Sequence, residues 1–248
     1  MPTIAAKPRK SMNARTRRAL PKPPTRAPLE KKTPTKARAA YHHGDLPRAL
    51  VTAALEIISK EGADGFTLRE AARLVGVTHG AAYRHFADKT ALLAVLAEEG
   101  FRELVAATET ARAAVGDGST VAGGRSAVRA RVHAIAEAYV RFALEHPSHF
   151  RVMFGPRLDL DKRRPFPALE AEVQRSFQVL VDEVEAAAKS GLLVPGTAVD
   201  HALGLWTMTH GYASLVLTRR IQVKPAMAVQ YFGQLFATLL DGVMKATR

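Results

Sequence analysis

The chain contains no cysteine, which removes disulfides, thiolate metal sites and cysteine nucleophiles together and is compatible with a reducing compartment. Aromatic residues are scarce, at 6% with the single tryptophan Trp206. Although 47% of the 248 residues are hydrophobic, no stretch supplies the roughly 18 uninterrupted apolar residues of a membrane span. The N-terminus also lacks the apolar segment of a secretory signal. A cytoplasmic protein is expected. The patterns of catalysis are missing as well. His133, His146, His149 and His201 accompany no serine or cysteine nucleophile at a recognisable turn, no glycine-rich phosphate loop and no HExxH spacing. No enzyme and no cofactor is expected. His42 and His43 are adjacent, so their side chains diverge, and no third ligand stands near them; no metal site is expected either.

Acidic residues are almost absent from the first forty positions. Residues 1–40 carry twelve Lys and Arg against the single acid Glu30, a balance of +11 that leaves only +2 of the chain's +13 for everything else. The same stretch holds seven of the fourteen prolines and few large apolar side chains, so nothing in it repays the entropy of ordering. It reads as a disordered basic tail. Three roles stay open: a solvated extension or misassigned start, an accessory DNA-binding arm, or an organelle transit peptide whose prolines argue against it. Residues 41–92, by contrast, balance six basic groups against six acidic ones.

What is present is helix. Asp45 caps a first helix with Pro47 in its opening turn, Leu50, Ala54, Ile57 and Ile58 recur at helical spacing, and Gly62 ends the run. Thr67 and Glu70 spell a capping box at the start of a second helix, in which hydroxyl and carboxylate each satisfy the other's backbone N–H. Ala71 and Ala72 are small where two helices must approach. Gly76 permits a left-handed turn, and Thr78 caps a third helix bearing His79, Gly80, Tyr83, Arg84 and His85. Two short helices around Val75-Gly76-Val77 are the sequence form of a helix-turn-helix, whose second helix enters the DNA major groove.

The segment from Tyr41 to about Phe101 resembles the DNA-binding domain of the TetR family of bacterial transcription regulators, on the signature Tyr83-Arg-His-Phe86-Ala-Asp-Lys89. The resemblance implies that Tyr83 and Lys89 hold DNA phosphates. With Thr67, Thr78, His79, Gly80, Arg84 and His85 they make up the candidate DNA-binding set. Ala82 departs from the family, which usually has a larger apolar residue there, so packing beneath the recognition helix is expected to be looser or filled from elsewhere.

Beyond Phe86 a helix over about 88–114 links head to body, with Leu92, Val95, Leu96, Phe101, Leu104 and Val105 as its apolar stripe. Further helices are expected over about 126–145, 147–154, 166–189, 197–217 and 225–244, with a charged loop at 157–165 and no alternating strand. Trp206-Thr-Met-Thr-His210-Gly211 and His146-Pro-Ser-His-Phe-Arg-Val-Met-Phe154 resemble a branch of the family with a C-terminal Trp-His-Gly domain. There the body binds a small inducer and forms the dimer. Phe101, Tyr139, Phe142, Phe150, Met153, Phe154, Phe177, Trp206 and His210 are the candidate ligand residues. For Trp206 and His210 a packed core pair, with the imidazole on a backbone carbonyl, is the competing reading; for Gly211 it is close helix approach. The 197–217 helix is apolar on two sides. Leu205, Met208, Tyr212 and Leu215, with Phe232, Phe236, Leu239 and Val243 of the last helix, are therefore the candidate homodimer interface.

The sequence thus points to an all-α protein: a disordered tail (1–40), a helix-turn-helix domain (41–90) and a helical ligand-binding and dimerisation domain (91–248). The function expected is a ligand-responsive repressor that binds a palindromic operator, with no membrane partner; a nonspecific architectural DNA-binding protein is the alternative. Each neutralised phosphate adds about 0.9 to the slope of log affinity against log salt. If the tail is a polycationic arm touching three or four phosphates, a chain beginning at Tyr41 will lose about 3 units of slope per subunit in salt titrations on one duplex. Equal slopes will show that the tail does not touch DNA.

Overall fold

The computed structural model describes residues 45–116, 124–155 and 166–244. The readings of the basic tail, of the Tyr41 lead-in with His42 and His43, and of the 157–165 loop lie outside the described residues. Within them the chain forms helices α1 (Leu46–Gly65), α2 (Leu68–Val75), α3 (His79–His85), α4 (Lys89–Ala114), α5 (Gly124–Glu145), α6 (Pro147–Met153), α7 (Pro167–Lys189), α8 (Ala198–Leu217) and α9 (Pro225–Val243). Among the described residues there is no strand, only an isolated bridge between Leu193 and Met244.

The helix starts are written locally. Asp45 Oδ1 accepts from Arg48 N at 3.2 Å, and Asp88 Oδ1 accepts from Ala91 N at 2.9 Å. Thr197 Oγ1 accepts from Asp200 N at 3.1 Å. Each oxygen satisfies one of the N–H groups that a first turn leaves unpaired. α1 behaves less simply than its sequence suggests. At Gly62 the backbone leaves the helical region (φ 77, ψ 168), yet helical turns resume and carry the element to Gly65.

Two hydrophobic cores meet along α4. The first gathers Leu50, Ile58, Phe66, Leu68, Ala71, Ala72, Ala82 and Phe86 of the first three helices and their turns with Leu92 to Leu104 of α4, and continues into Phe142, Phe150 and Met153 of α5 and α6. The second joins Val105 of α4 to α5, α7, α8 and α9 through Val132, Ile135, Val184, Leu205, Phe232 and Phe236. α4 packs on α5, α6 and α7, and α6 also packs on α1. At the far end of α4 a buried carboxylate ties three helices together: Arg131 of α5 donates to Glu183 of α7 at 2.8 Å, while Arg112 of α4 lies 3.8 Å from the same carboxylate. Glu183 is only 8% exposed, and its loss would leave Arg112 and Arg131 short of an ion-pair partner.

Four of the eight residues expected at a subunit interface lie elsewhere. Leu205, Tyr212, Phe232 and Phe236 are buried within the chain's own core, with the Phe232 and Phe236 rings 5.2 Å apart. The reason is three-dimensional. α8 and α9 are apolar on two sides, and the side that turns inward is chosen by α5 and α7, not by the helix's own periodicity. Met208 and Val243 are half-buried at the edge of that core, and Leu215 and Leu239 are exposed.

Candidate functional site

In the head, the two-helix motif is assembled by hydrogen bonds that its sequence announces. Thr67 Oγ1 accepts from Glu70 N at 3.2 Å while Glu70 Oε2 accepts from Thr67 N at 3.0 Å, completing the reciprocal cap. Gly76 adopts the left-handed conformation (φ 82), and its N–H reaches the carbonyls of Ala72 and Arg73; a side chain there would cost about 1 kcal/mol in strain. Val77 N then donates to Ala72 O at 3.0 Å, and Thr78 Oγ1 accepts from Ala81 N at 3.3 Å to start α3.

α3 rests on one buried residue, Ala82, which is fully inaccessible. The space beneath it is filled: Ala82 shares its core with the fully buried Phe66 and with Phe86. Everything else on this face turns outward. His79, Gly80, Arg84 and His85 are exposed, Tyr83 is 44% exposed, and a Cβ added at Gly80 would meet nothing within 4 Å. Lys89 is placed by the head's own structure, its ammonium donating to Asp64 O at 3.2 Å and lying 5.6 Å from the centre of the Phe66 ring. It therefore pins the start of α4 to the end of α1 at the edge of the α3 face.

In the body, His210 is the hub of an aromatic cluster. Its ring stacks on Trp206 at 5.2 Å and on Phe150 at 5.3 Å, and meets Phe154 edge-on at 4.5 Å. Tyr139 Oη lies 2.8 Å from Nδ1, and Ser214 Oγ lies 3.2 Å from Nε2. In either neutral tautomer one ring nitrogen donates and the other accepts. The imidazole is thus satisfied by side chains rather than by the backbone carbonyl expected of a plain core pair. Burial lowers the pKa of His210 and raises that of Tyr139, because desolvation disfavours the charged form of each.

A cavity of about 220 Å³ opens beside the cluster, lined by Phe150, Arg151, Phe154, His210, Ser214, Leu217 and Thr218. Leu217 also lines a larger one of about 590 Å³ at the turn between α8 and α9. Of the candidate ligand residues, Phe150, Phe154 and His210 line the smaller cavity. Tyr139 and Trp206 back His210, Phe101 backs Phe154 at 5.4 Å, and Phe177 backs Trp206 at 6.2 Å. Phe142 and Met153 are directed elsewhere: Phe142 stacks on His146 at 5.0 Å, and Met153 lies against Gly100. Arg151, Ser214, Leu217 and Thr218 were not foreseen. Ser214 stands one turn beyond His210 and was legible as its i+4 neighbour.

The outward side of α8 and α9 carries a further feature. Val199, Leu203 and Leu215 are exposed along α8, and Met227, Tyr231, Leu235 and Leu239 along α9. Both sets follow i, i+4 rows, the ridges by which helices interdigitate. Gly204 and Gly211 have nothing within 4 Å of an added Cβ, so no close approach inside the subunit requires them.

A capped helix-turn-helix on a larger helical body defines a class, the DNA-binding transcription regulators. Comparisons with known proteins narrow it. Residues 50–96 match the family model of bacterial regulatory proteins of the tetR family, and residues 132–241 match that of the tetracyclin repressor-like C-terminal domain. The tetracycline repressor protein class A from transposon 1721 of Escherichia coli is 44% identical over 52 residues, 21% of this chain and 24% of that protein. The chain therefore aligns with about a quarter of that relative. A solved structure of a protein of unknown function from Rhodococcus sp. RHA1 is 34% identical, covers 84% of this chain and 100% of its own, and superposes with a TM-score of 0.63. A bacterial regulatory protein of the tetR family from Rhodococcus RHA1, 19% identical, shares the fold at a TM-score of 0.59 over 78% of this chain and 96% of its own. The chain belongs to the TetR family of DNA-binding transcription regulators. Among the described residues no helix is long and apolar enough to cross a membrane.

The stack of the only tryptophan on His210 makes the pocket observable. An ordinary histidine titrates near 6.5, and burial holds His210 below that value. The unfolded chain therefore binds this proton more readily, so the neutral ring's contribution to stability is complete above about pH 6.5 and is lost as pH falls through the folded pKa. Trp206 emission is expected to titrate with a midpoint below 6.5, and His210→Gln to abolish that transition. A midpoint at or above 6.5 would contradict the burial of the ring.

Proposed function

We propose that the chain is a ligand-responsive repressor acting in the cytoplasm, which binds a palindromic operator as a homodimer. The observation that carries this reading is α3, held from below by Ala82 alone while His79, Gly80, Tyr83 and Arg84 face outward. His79, Gly80 and Arg84 lie toward the groove floor and read base edges. Tyr83 and Lys89 flank them as phosphate contacts, Thr67 and Thr78 orient the backbone N–H groups of two helix N-termini, and His85 closes the α3 face. Residues 41–90 serve as the reading head and 91–248 as the body, with α4 common to both.

The dimer forms through the exposed rows of α8 and α9, in a four-helix contact that uses Leu215 and Leu239 together with Val199, Leu203, Met227, Tyr231 and Leu235. The bare surface at Gly204 and Gly211 gives a partner helix room to approach. The inducer is a small, largely apolar molecule with a polar group, seated between Phe150, Phe154 and His210 and extending past Leu217. Its entry displaces α6, which packs on both α4 and α1, and so shifts the head. Because binding free energies are linked, inducer and operator weaken each other by the same factor.

Affinity measured on systematically substituted duplexes tests the head. Arg84→Ala is expected to relax preference at one base pair of each half-site, at a cost of about 1–3 kcal/mol. Tyr83→Phe should weaken all duplexes alike, since phosphates carry no base identity. An unchanged profile for Arg84→Ala would remove it from the base-reading set. For the dimer, Tyr231→Glu or Leu235→Glu places an unpaired charge in the seam, and analytical ultracentrifugation should find folded monomers. A variant that stays dimeric at micromolar concentration would refute this face.

A further inference from the structure

We propose that Glu103 of α4 with His146 and His149 of α6 forms a three-ligand site for a divalent transition-metal ion of the zinc class, bridging the long helix to the short one that leans on the head. One ligand atom from each residue lies within 4.8 Å of the other two. His146 Nδ1 is 3.9 Å from Glu103 Oε2, and the two imidazole centres are 6.0 Å apart. Donors bound to zinc at about 2.0–2.2 Å stand on the order of 3.5 Å from one another. Small rotations of these side chains, one exposed and two half-buried, close that gap.

The backbone beneath the three residues is set. His146 stands at the N-cap position of α6, its side chain making no cap hydrogen bond, and His149 lies in the first turn, with the two rings turned toward Glu103. Phe142 stacks on His146 at 5.0 Å and an angle of 25°, limiting its swing. One turn before Glu103, α4 meets α6 at Gly100, where an added Cβ would lie 3.3 Å from His149 Cβ and 2.6 Å from Met153 Sδ. The side chains of Met153 and His149 fill the space over Gly100, so glycine there lets α6 lie close against α4 beside the three donors. The donor set decides the ion. Two imidazoles and one carboxylate suit zinc and its borderline neighbours with an open position for water, whereas calcium and magnesium demand a shell of oxygens. The site is distinct from the His210 cavity and does not depend on which DNA sequence the chain reads. Occupied, it would tie α4 to α6 at the joint between body and head.

The test uses the full chain, freed of metal and titrated with zinc chloride against a chromophoric chelator. One ion per chain is expected, with a saturable rise in melting temperature. His146→Ala and His149→Ala should abolish both effects. Glu103→Gln, an exposed substitution of equal size whose metal-free melting should match the wild type, should weaken binding at least about tenfold. A chain with both His42→Ala and His43→Ala should bind as the wild type does. Absence of saturable binding overturns the proposal. So does wild-type affinity in Glu103→Gln, or loss of binding in the His42/His43 variant.

Discussion

The structure depends on α4 belonging to two cores at once. Leu92 to Leu104 close the core of the helix-turn-helix head, and Val105 begins that of the body, so no flexible linker separates the part that meets DNA from the rest. A rigid helix packed on both sides transmits displacement where a coil would absorb it. Its two ends are fixed by different means. Lys89, just after the Asp88 cap, fastens the start to the end of α1, and the Arg112–Glu183–Arg131 cluster fastens the other end to α5 and α7. Between them, at Gly100, α6 presses directly on the helix.

That position gives α6 its importance. The seven-residue helix carries Phe150 into the His210 cluster, sets Met153 and His149 against α4, and packs on α1. α6 therefore joins the aromatic cluster around His210 to two helices that carry the DNA-binding unit, α1 and α4. Partial burial of His210 and its bonds to Tyr139 and Ser214 keep the polar centre of the pocket neutral and oriented.

Much of this was legible in the sequence wherever the physics is local. The capping box at Thr67, the left-handed Gly76 and the caps at Asp45 and Thr78 depend on residues three or four apart, and the helices begin and turn where those residues stand. The family signature around Tyr83 is of the same local kind. What periodicity could not choose was the inward side of a helix apolar on two sides, which is why Phe232 and Phe236 belong to the subunit core while Tyr231 and Leu235 face outward. Contacts between distant segments were likewise hidden. Nothing in the sequence says that Tyr139 will meet His210, 71 residues away; aromatic residues at helical spacing look the same whether they line a pocket or fill a core.

Sequencing the duplexes retained by the purified chain from a random pool tests the central claim most directly, because a single result reports on both the reading helix and the symmetry that presents it twice. A regulator with this head and the proposed dimer face should enrich one palindromic motif, with half-sites roughly 34–36 Å apart, one helical turn, in the simplest two-fold arrangement. A retained pool with no motif, bound no better than random DNA, would contradict the account and mark the chain as a nonspecific DNA-coating protein.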